Sequence, residues 1–189
     1  MVEACRPGHN TGSGALVAPG LVLTAAHVVA GAYDIEVVRN GRSVSAEVVA
    51  FDPDMDLAYL AVTGLGGRPL PVSSTQVAAG DTGSAYVWRS LGLEVLPVTV
   101  KRRINISTED IYIENDTLRP GYELVADIEP GDSGGAVVIG GRVVGVLWAR
   151  SRQADQRAYA IDPDRAGEVI RAQRRTGTIG DEIDIDKCP

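Results

Sequence analysis

Gly131-Asp132-Ser133-Gly134-Gly135 sets one hydroxyl among three glycines. Glycine disfavours the interiors of helices and strands, so the run predicts a tight turn that presents Ser133 beside bare backbone N–H groups. Such amides can hold an oxyanion while the hydroxyl attacks a carbonyl. Gly, Asp and Ser are also ordinary turn formers, and a plain hairpin turn would use the same residues. A nucleophile needs a base and an orienting acid, which the rest of the chain must supply.

The chain has two histidines, His9 and His27. His9 lies in a polar arm beside Gly8 and Asn10, whereas His27 follows the apolar run Leu21-Val-Leu-Thr24 through Ala25-Ala26. Small residues there let the backbone pack closely, so His27 is the candidate base. The acid should sit at the rim of a buried strand, desolvated yet within reach of the imidazole. Asp56 directly precedes the apolar strand Leu57-Ala-Tyr-Leu-Ala-Val62, and Asp52 and Asp54 read as turn and capping residues. Chain order then discriminates between folds. Gly131-x-Ser133-x-Gly135 also fits the nucleophile elbow of α/β-hydrolases, but there the histidine follows the serine, and none follows Ser133 here. The subtilisin order needs an aspartate before the histidine, and none precedes His27. The order His27, Asp56, Ser133 remains.

Around these residues the chain alternates short apolar runs with turns. Pro19-Gly20, Asn40-Gly41 and Gly140-Gly141 mark hairpins. Strands are expected at Ile35 to Arg39, Ser43 to Phe51, Leu57 to Val62, Thr82 to Val87, Leu93 to Ile106, Ile111 to Glu114, Gly121 to Val125, Gly135 to Ile139 and Val143 to Ala149, with one helical turn at Ala25 to Ala30. The Gly- and Pro-rich stretch Gly64 to Pro71 separates two runs of strands. This pattern predicts an all-β chain of two antiparallel barrels side by side, lobe 1 over about 10–70 and lobe 2 over about 71–162. A C-terminal helix is expected from 163, capped by Asp162 with Pro163 at its first turn, then an acidic strap to residue 189.

At 189 residues the chain is long enough for one domain with a substantial core, and a formal charge of −7 argues against a nucleic-acid partner. Cys5 and Cys188 stand at opposite ends. A metal site wants closer ligand clusters, so a disulfide joining the termini is the expectation, worth about 4–5 kcal/mol on the chain-entropy model. It implies an oxidising, periplasmic or extracellular compartment. No run is long and apolar enough to span a membrane, and the first residues do not resemble a signal peptide. Any export signal or membrane anchor is therefore expected upstream of this sequence.

Thr24-Ala-Ala-His27, Asp56-Leu-Ala58 and Gly131-Asp-Ser-Gly-Gly135 resemble the three signature blocks of chymotrypsin-like serine proteases. Gly12-Ser-Gly-Ala-Leu-Val17 and Tyr159-Ala-Ile-Asp-Pro163 are similar to the HtrA-type branch. With the terminal cysteines, the chain looks like the membrane-anchored periplasmic acid-resistance proteases of mycobacteria and their relatives. The resemblance covers roughly residues 10–172. It implies two six-stranded barrels with a cleft between them, His27 and Asp56 from the first and Ser133 from the second. The Gly131 and Ser133 amides would form the oxyanion hole. It further implies a protein or peptide substrate, no metal or organic cofactor, a monomer, and a role in envelope stress or acid resistance. Asp127 stands where trypsin-like enzymes carry the acid of the P1 pocket, giving an expectation of a basic P1 residue, and Trp148 and Arg150 belong to the strand that would line the cleft. Esterase activity would use the same triad, and a latent enzyme held off by Asp132 or the disulfide is a further alternative. The rival class is a protease-like binding module that no longer cleaves. Two departures stand out. HtrA-type proteases have Asn where this chain has Asp132, and the trypsin-like partner of that aspartate, a new N-terminal amine, has no evident cleavage site here. Peptide sensing by a PDZ domain is not expected from the residues of this sequence.

Overall fold

Antiparallel strands closed by glycine turns build both halves of the chain. The computed structural model describes residues 10–90, 92–164 and 185. The first half runs β1 (Ala15–Ala18), β2 (Leu21–Thr24), the single helical turn α1 (Ala26–Val29), β3 (Ile35–Arg39), β4 (Arg42–Asp52) and β5 (Leu57–Val62). These strands form a five-stranded sheet in the order β1-β2-β5-β4-β3. The second half runs β6 (Thr82–Arg89), β7 (Gly92–Glu109), β8 (Asp116–Val125), β9 (Ala136–Ile139), β10 (Arg142–Arg150) and β11 (Arg157–Ile161). These close into a barrel in the order β10-β11-β8-β7-β6-β9. The chymotrypsin-like all-β architecture is thus present, with five strands among the described residues of lobe 1 and six in lobe 2.

Asn40 and Gly41 both have positive φ (51° and 74°), as do Gly140 and Gly141 (59° and 75°). Turns of this hand match the right-handed twist of the strands they join, which explains why both hairpins were legible. Ile111 to Glu114, expected as a strand, is a turn at the tip of the β7–β8 hairpin. The Asp110 carboxylate takes the N–H groups of Tyr112, Glu114 and Asn115 at 2.8, 3.1 and 3.0 Å and so satisfies donors that a strand would need a neighbour for. This tip reaches across to lobe 1, where the Ile111 N–H donates to the Pro53 carbonyl at 3.3 Å and the Ile111 side chain joins the lobe 1 core.

Each lobe has its own apolar cluster. Val22, Val29 and Leu60 lie in the first, and Val87, Val100, Leu124 and Leu147 in the second. A third cluster belongs to both, joining Leu23, Leu57 and Tyr59 of lobe 1 to Val143, Val146 and Ile161 of lobe 2. The expected linker is stitched down at its end, since Pro71 accepts from the Val143 N–H at 3.0 Å and Leu70 donates to Leu16 at 2.8 Å. Among the described residues no helix is long and apolar enough to cross a membrane, and no group of three or more His, Cys, Asp or Glu could hold a metal ion. The expected helix after Pro163 and both cysteines, Cys5 and Cys188, lie outside the described residues.

Candidate active site

α1 begins directly after β2, and its placement depends on alanine. Ala25 and Ala26 are buried to 1% and 0% exposure, so the turn lies flush on β5 with His27 at its free side. Asp56 ends the turn Asp52 to Asp56, in which the Asp52 carboxylate accepts the Met55 N–H at 2.9 Å. Asp56 has φ of 55°, a left-handed conformation that Asp tolerates better than most residues. That twist delivers its carboxylate to His27 twice over. The His27 backbone N–H donates to Oδ1 at 2.8 Å, and Nδ1 lies 2.7 Å from Oδ2. A proton held on Nδ1 by this contact leaves Nε2 of the neutral imidazole as an acceptor.

Asp56 is 1% exposed. Burial alone would push its carboxyl up, but attraction to His27, two hydrogen bonds from that residue and the charge of Arg119 together hold it below the usual carboxylate range. Arg119 is itself buried at 2% exposure, with Nη1 3.8 Å from Asp56 Oδ2. Its guanidinium donates to the carbonyls of Asp54 and Glu109 at 2.6 and 3.1 Å and lies 5.3 Å from the centroid of the Trp148 ring. Arg119 therefore ties the acid-bearing turn to the β7–β8 hairpin and to β10.

Ser133 lines the same cleft as His27, Asp56, Gly131, Arg119 and Trp148. No hydrogen bond joins its hydroxyl to His27 among the described residues; in substrate-free sites that contact commonly tightens only on binding. Backbone donors around Ser133 fall into two sets. Those of Asp132, Gly134 and Gly135 donate to Glu129, Leu147 and Asp132 at 3.1, 2.9 and 2.9 Å. Those of Gly131 and Ser133 have no protein acceptor among the described residues. Two open amides flanking one hydroxyl are what a developing oxyanion requires. Gly131 has φ of 99°, which a side chain would resist.

Ser13 buttresses this loop from lobe 1. Its N–H donates to the Ser133 carbonyl at 2.7 Å, its carbonyl accepts the Thr24 hydroxyl at 2.7 Å, and its own hydroxyl accepts the Trp88 N–H at 2.8 Å. Gly134 sits against it with φ of 84°, and a Cβ there would collide with the Ser13 carbonyl oxygen and Thr24 Oγ1. Gly134→Ala is expected to cost at least about 2 kcal/mol from backbone strain and overpacking combined, read as a lowered midpoint in urea unfolding.

The remaining candidates separate. Trp148 lines the cleft, whereas Asp127 and Arg150 are exposed and outside its lining. The basic P1 residue expected from Asp127 is an expectation still to be tested with a peptide library. Arg89, Arg119 and Ser13 carry site geometry that the sequence did not reveal.

Three buried carboxylates have folded-state values below the usual range. In Glu123, hydrogen bonds from Lys101 and Arg102 outweigh burial; in Asp110, burial is opposed by the hydrogen bonds of its turn; Asp56 is described above. Groups depressed in this way contribute stability that is intact above the usual carboxylate range and is lost as pH falls through the folded-state values. The melting temperature is therefore expected to hold from neutrality to about pH 4.5 and to fall below that. In Glu123→Gln a scanning-calorimetry pH series should show a shallower fall.

A trypsin-like peptidase domain model matches residues 12–146, and the chain belongs to that family of chymotrypsin-like serine proteases. It is 32% identical over 171 residues to "Serine protease Rv3671c" of Mycobacterium tuberculosis, covering 89% of this chain and 41% of that one. A "Probable periplasmic serine endoprotease DegP-like" of Pseudomonas putida is 31% identical over 183 residues, covering 92% of this chain and 37% of that one. The chain thus spans about two fifths of the length of these curated relatives. The active form of the M. tuberculosis Rv3671c protease superposes with a TM-score of 0.82 at 30% identity, covering 94% of this chain and 78% of that structure. An inactive form gives 0.74 at 31% identity, covering 89% and 84%.

Proposed function

We propose that this chain is a single catalytic domain of a serine endopeptidase, cleaving peptide bonds through an acyl-enzyme on His27, Asp56 and Ser133. The observation that carries the reading is the Asp56–His27 contact at 2.7 Å in a cleft that Ser133 shares. His27 Nε2 takes the proton of the Ser133 hydroxyl as Oγ attacks the scissile carbonyl carbon. Asp56 keeps the proton on Nδ1 and stabilises the imidazolium that forms. The carbonyl oxygen becomes an oxyanion held by the Gly131 and Ser133 N–H groups. His27 then returns its proton to the leaving amine, and a water molecule repeats the sequence to free Ser133. Each step is proton transfer and acyl transfer, and none calls for a metal or organic cofactor. The greater likeness to the active than to the inactive Rv3671c form is consistent with this reading.

A fluorophosphonate probe tests it. Covalent labelling at neutral pH, mapped by peptide mass analysis to Ser133, is the expected result. A chain that takes no label is a protease-like binding module instead.

The compartment is proposed to be extracytoplasmic, supported by the periplasmic designation of the DegP-like relative and by the cysteines. We propose that Cys5 and Cys188 are joined in a disulfide, the pairing that an oxidising compartment favours. An intact mass under non-reducing conditions two hydrogens below that of the reduced chain would be found. Work in envelope stress or acid resistance, on protein substrates, as a monomer attached to the membrane through a segment outside this sequence, completes the proposal.

A further inference from the structure

Asp132, the neighbour of Ser133, is a carboxylate at 1% exposure. An isolated charge so placed is costly unless paired and fully hydrogen-bonded. Its donors are the Glu129 N–H at 2.7 Å to Oδ2 and the two arms of one guanidinium, Arg89 Nε at 3.0 Å to Oδ1 and Nη2 at 2.7 Å to Oδ2. Arg89 Nη2 also reaches the Asp127 carbonyl at 3.2 Å, and Nη1 lies 3.1 Å from Glu94 Oε2. One side chain thereby grips the nucleophile loop at 127 and at 132, on either side of Pro130 and Gly131.

We propose that the bidentate fork of Arg89 is the positioning group for the oxyanion loop, doing from within the chain what a newly cut N-terminal amine does in trypsin-like zymogens. The inference rests on the reading of Ser133 as nucleophile. Arg89 is the last residue of β6, a strand bonded to β7 on one side and β9 on the other, so its anchor is the closed barrel. With residues 129 and 132 pinned, little freedom remains between them. Pro130 has a fixed φ, and the Gly131 and Ser133 amides are left open between bonded neighbours. Loss of the fork would leave the Asp132 charge buried beside the nucleophile. The loop could relieve it only by turning Asp132 toward water, carrying both amides with it. A lysine cannot substitute, because one ammonium does not reproduce two parallel N–H···O bonds in a fixed plane.

The test compares wild type, Arg89→Lys, Arg89→Met and the double variant Arg89→Met with Asp132→Asn. Fluorophosphonate acylation rates, kcat and KM on a peptide substrate, and melting temperature are measured for each. Arg89→Lys keeps the charge and the fold, and is expected to acylate about 10-fold more slowly with KM changed less than about threefold. Arg89→Met is expected to lose about 100-fold in acylation and kcat, the scale of losing an oxyanion donor, and the added Asp132→Asn should restore most of it by removing the stranded charge. Acylation of Arg89→Lys at the wild-type rate would overturn the proposal, and decides the matter even if Arg89→Met fails to fold. So would a slow Arg89→Met that Asp132→Asn does not rescue, since Arg89 would then act by some other route. A wild-type chain that takes no label removes the nucleophile, and the positioning role with it.

Discussion

Ser133→Ala is expected to fold normally and to lose turnover by roughly six orders of magnitude, the scale at which a triad serine acts in a comparable enzyme. The fold is indifferent because the hydroxyl makes no hydrogen bond among the described residues, and the contacts that hold the loop bypass it: the Ser133 carbonyl to Ser13, the flanking amides to Glu129, Leu147 and Asp132, and the Asp132 carboxylate to Arg89. Activity is expected to depend on it, because the Ser133 hydroxyl shares the cleft with His27 and stands beside the two open amides of Gly131 and Ser133. Initial-rate assays on a casein-type substrate, run beside a melting curve, separate the two effects. Undiminished hydrolysis by a folded Ser133→Ala would end the assignment.

Asp56→Asn is expected to lower kcat by about 10⁴-fold through the wrong imidazole tautomer. An asparagine amide presents N–H where His27 Nδ1 needs an acceptor, or, flipped, faces the His27 backbone N–H with a donor; either way one of the contacts at 2.7 and 2.8 Å fails. Arg119 sharpens the effect, since its Nη1 is 3.8 Å from the carboxylate and would face a neutral amide. Combining Asp56→Asn with Ser133→Ala should cost no more than Ser133→Ala alone if the two act as members of one triad, since the residues of a triad act as a unit. Additive losses in that double variant would show the two residues working independently.

What the sequence revealed about this site was local. A glycine run, an Ala-Ala-His turn and an aspartate abutting an apolar strand each occupy a few residues, and their order excluded the competing serine-hydrolase folds. The two positive-φ hairpins were equally local. Long-range polar partners were not. Arg89 meets Asp132 across 43 residues and Arg119 meets the Asp54 carbonyl across 65, and in each case an arginine at a strand position reads as surface. Nothing in Asp110-Ile-Tyr-Ile said that one carboxylate would gather three backbone donors and bend an apolar run into a turn.

The apolar cluster common to both sheets has a consequence for how the molecule comes apart. Leu23, Leu57 and Tyr59 share one buried cluster with Val143, Val146 and Ile161, so neither sheet can lose its packing while the other keeps all of its own. Melting should accordingly be one cooperative event, with calorimetric and van't Hoff enthalpies equal. A chain cut within Gly64 to Pro71 would yield two pieces that each expose half a core and bind one another to hide it.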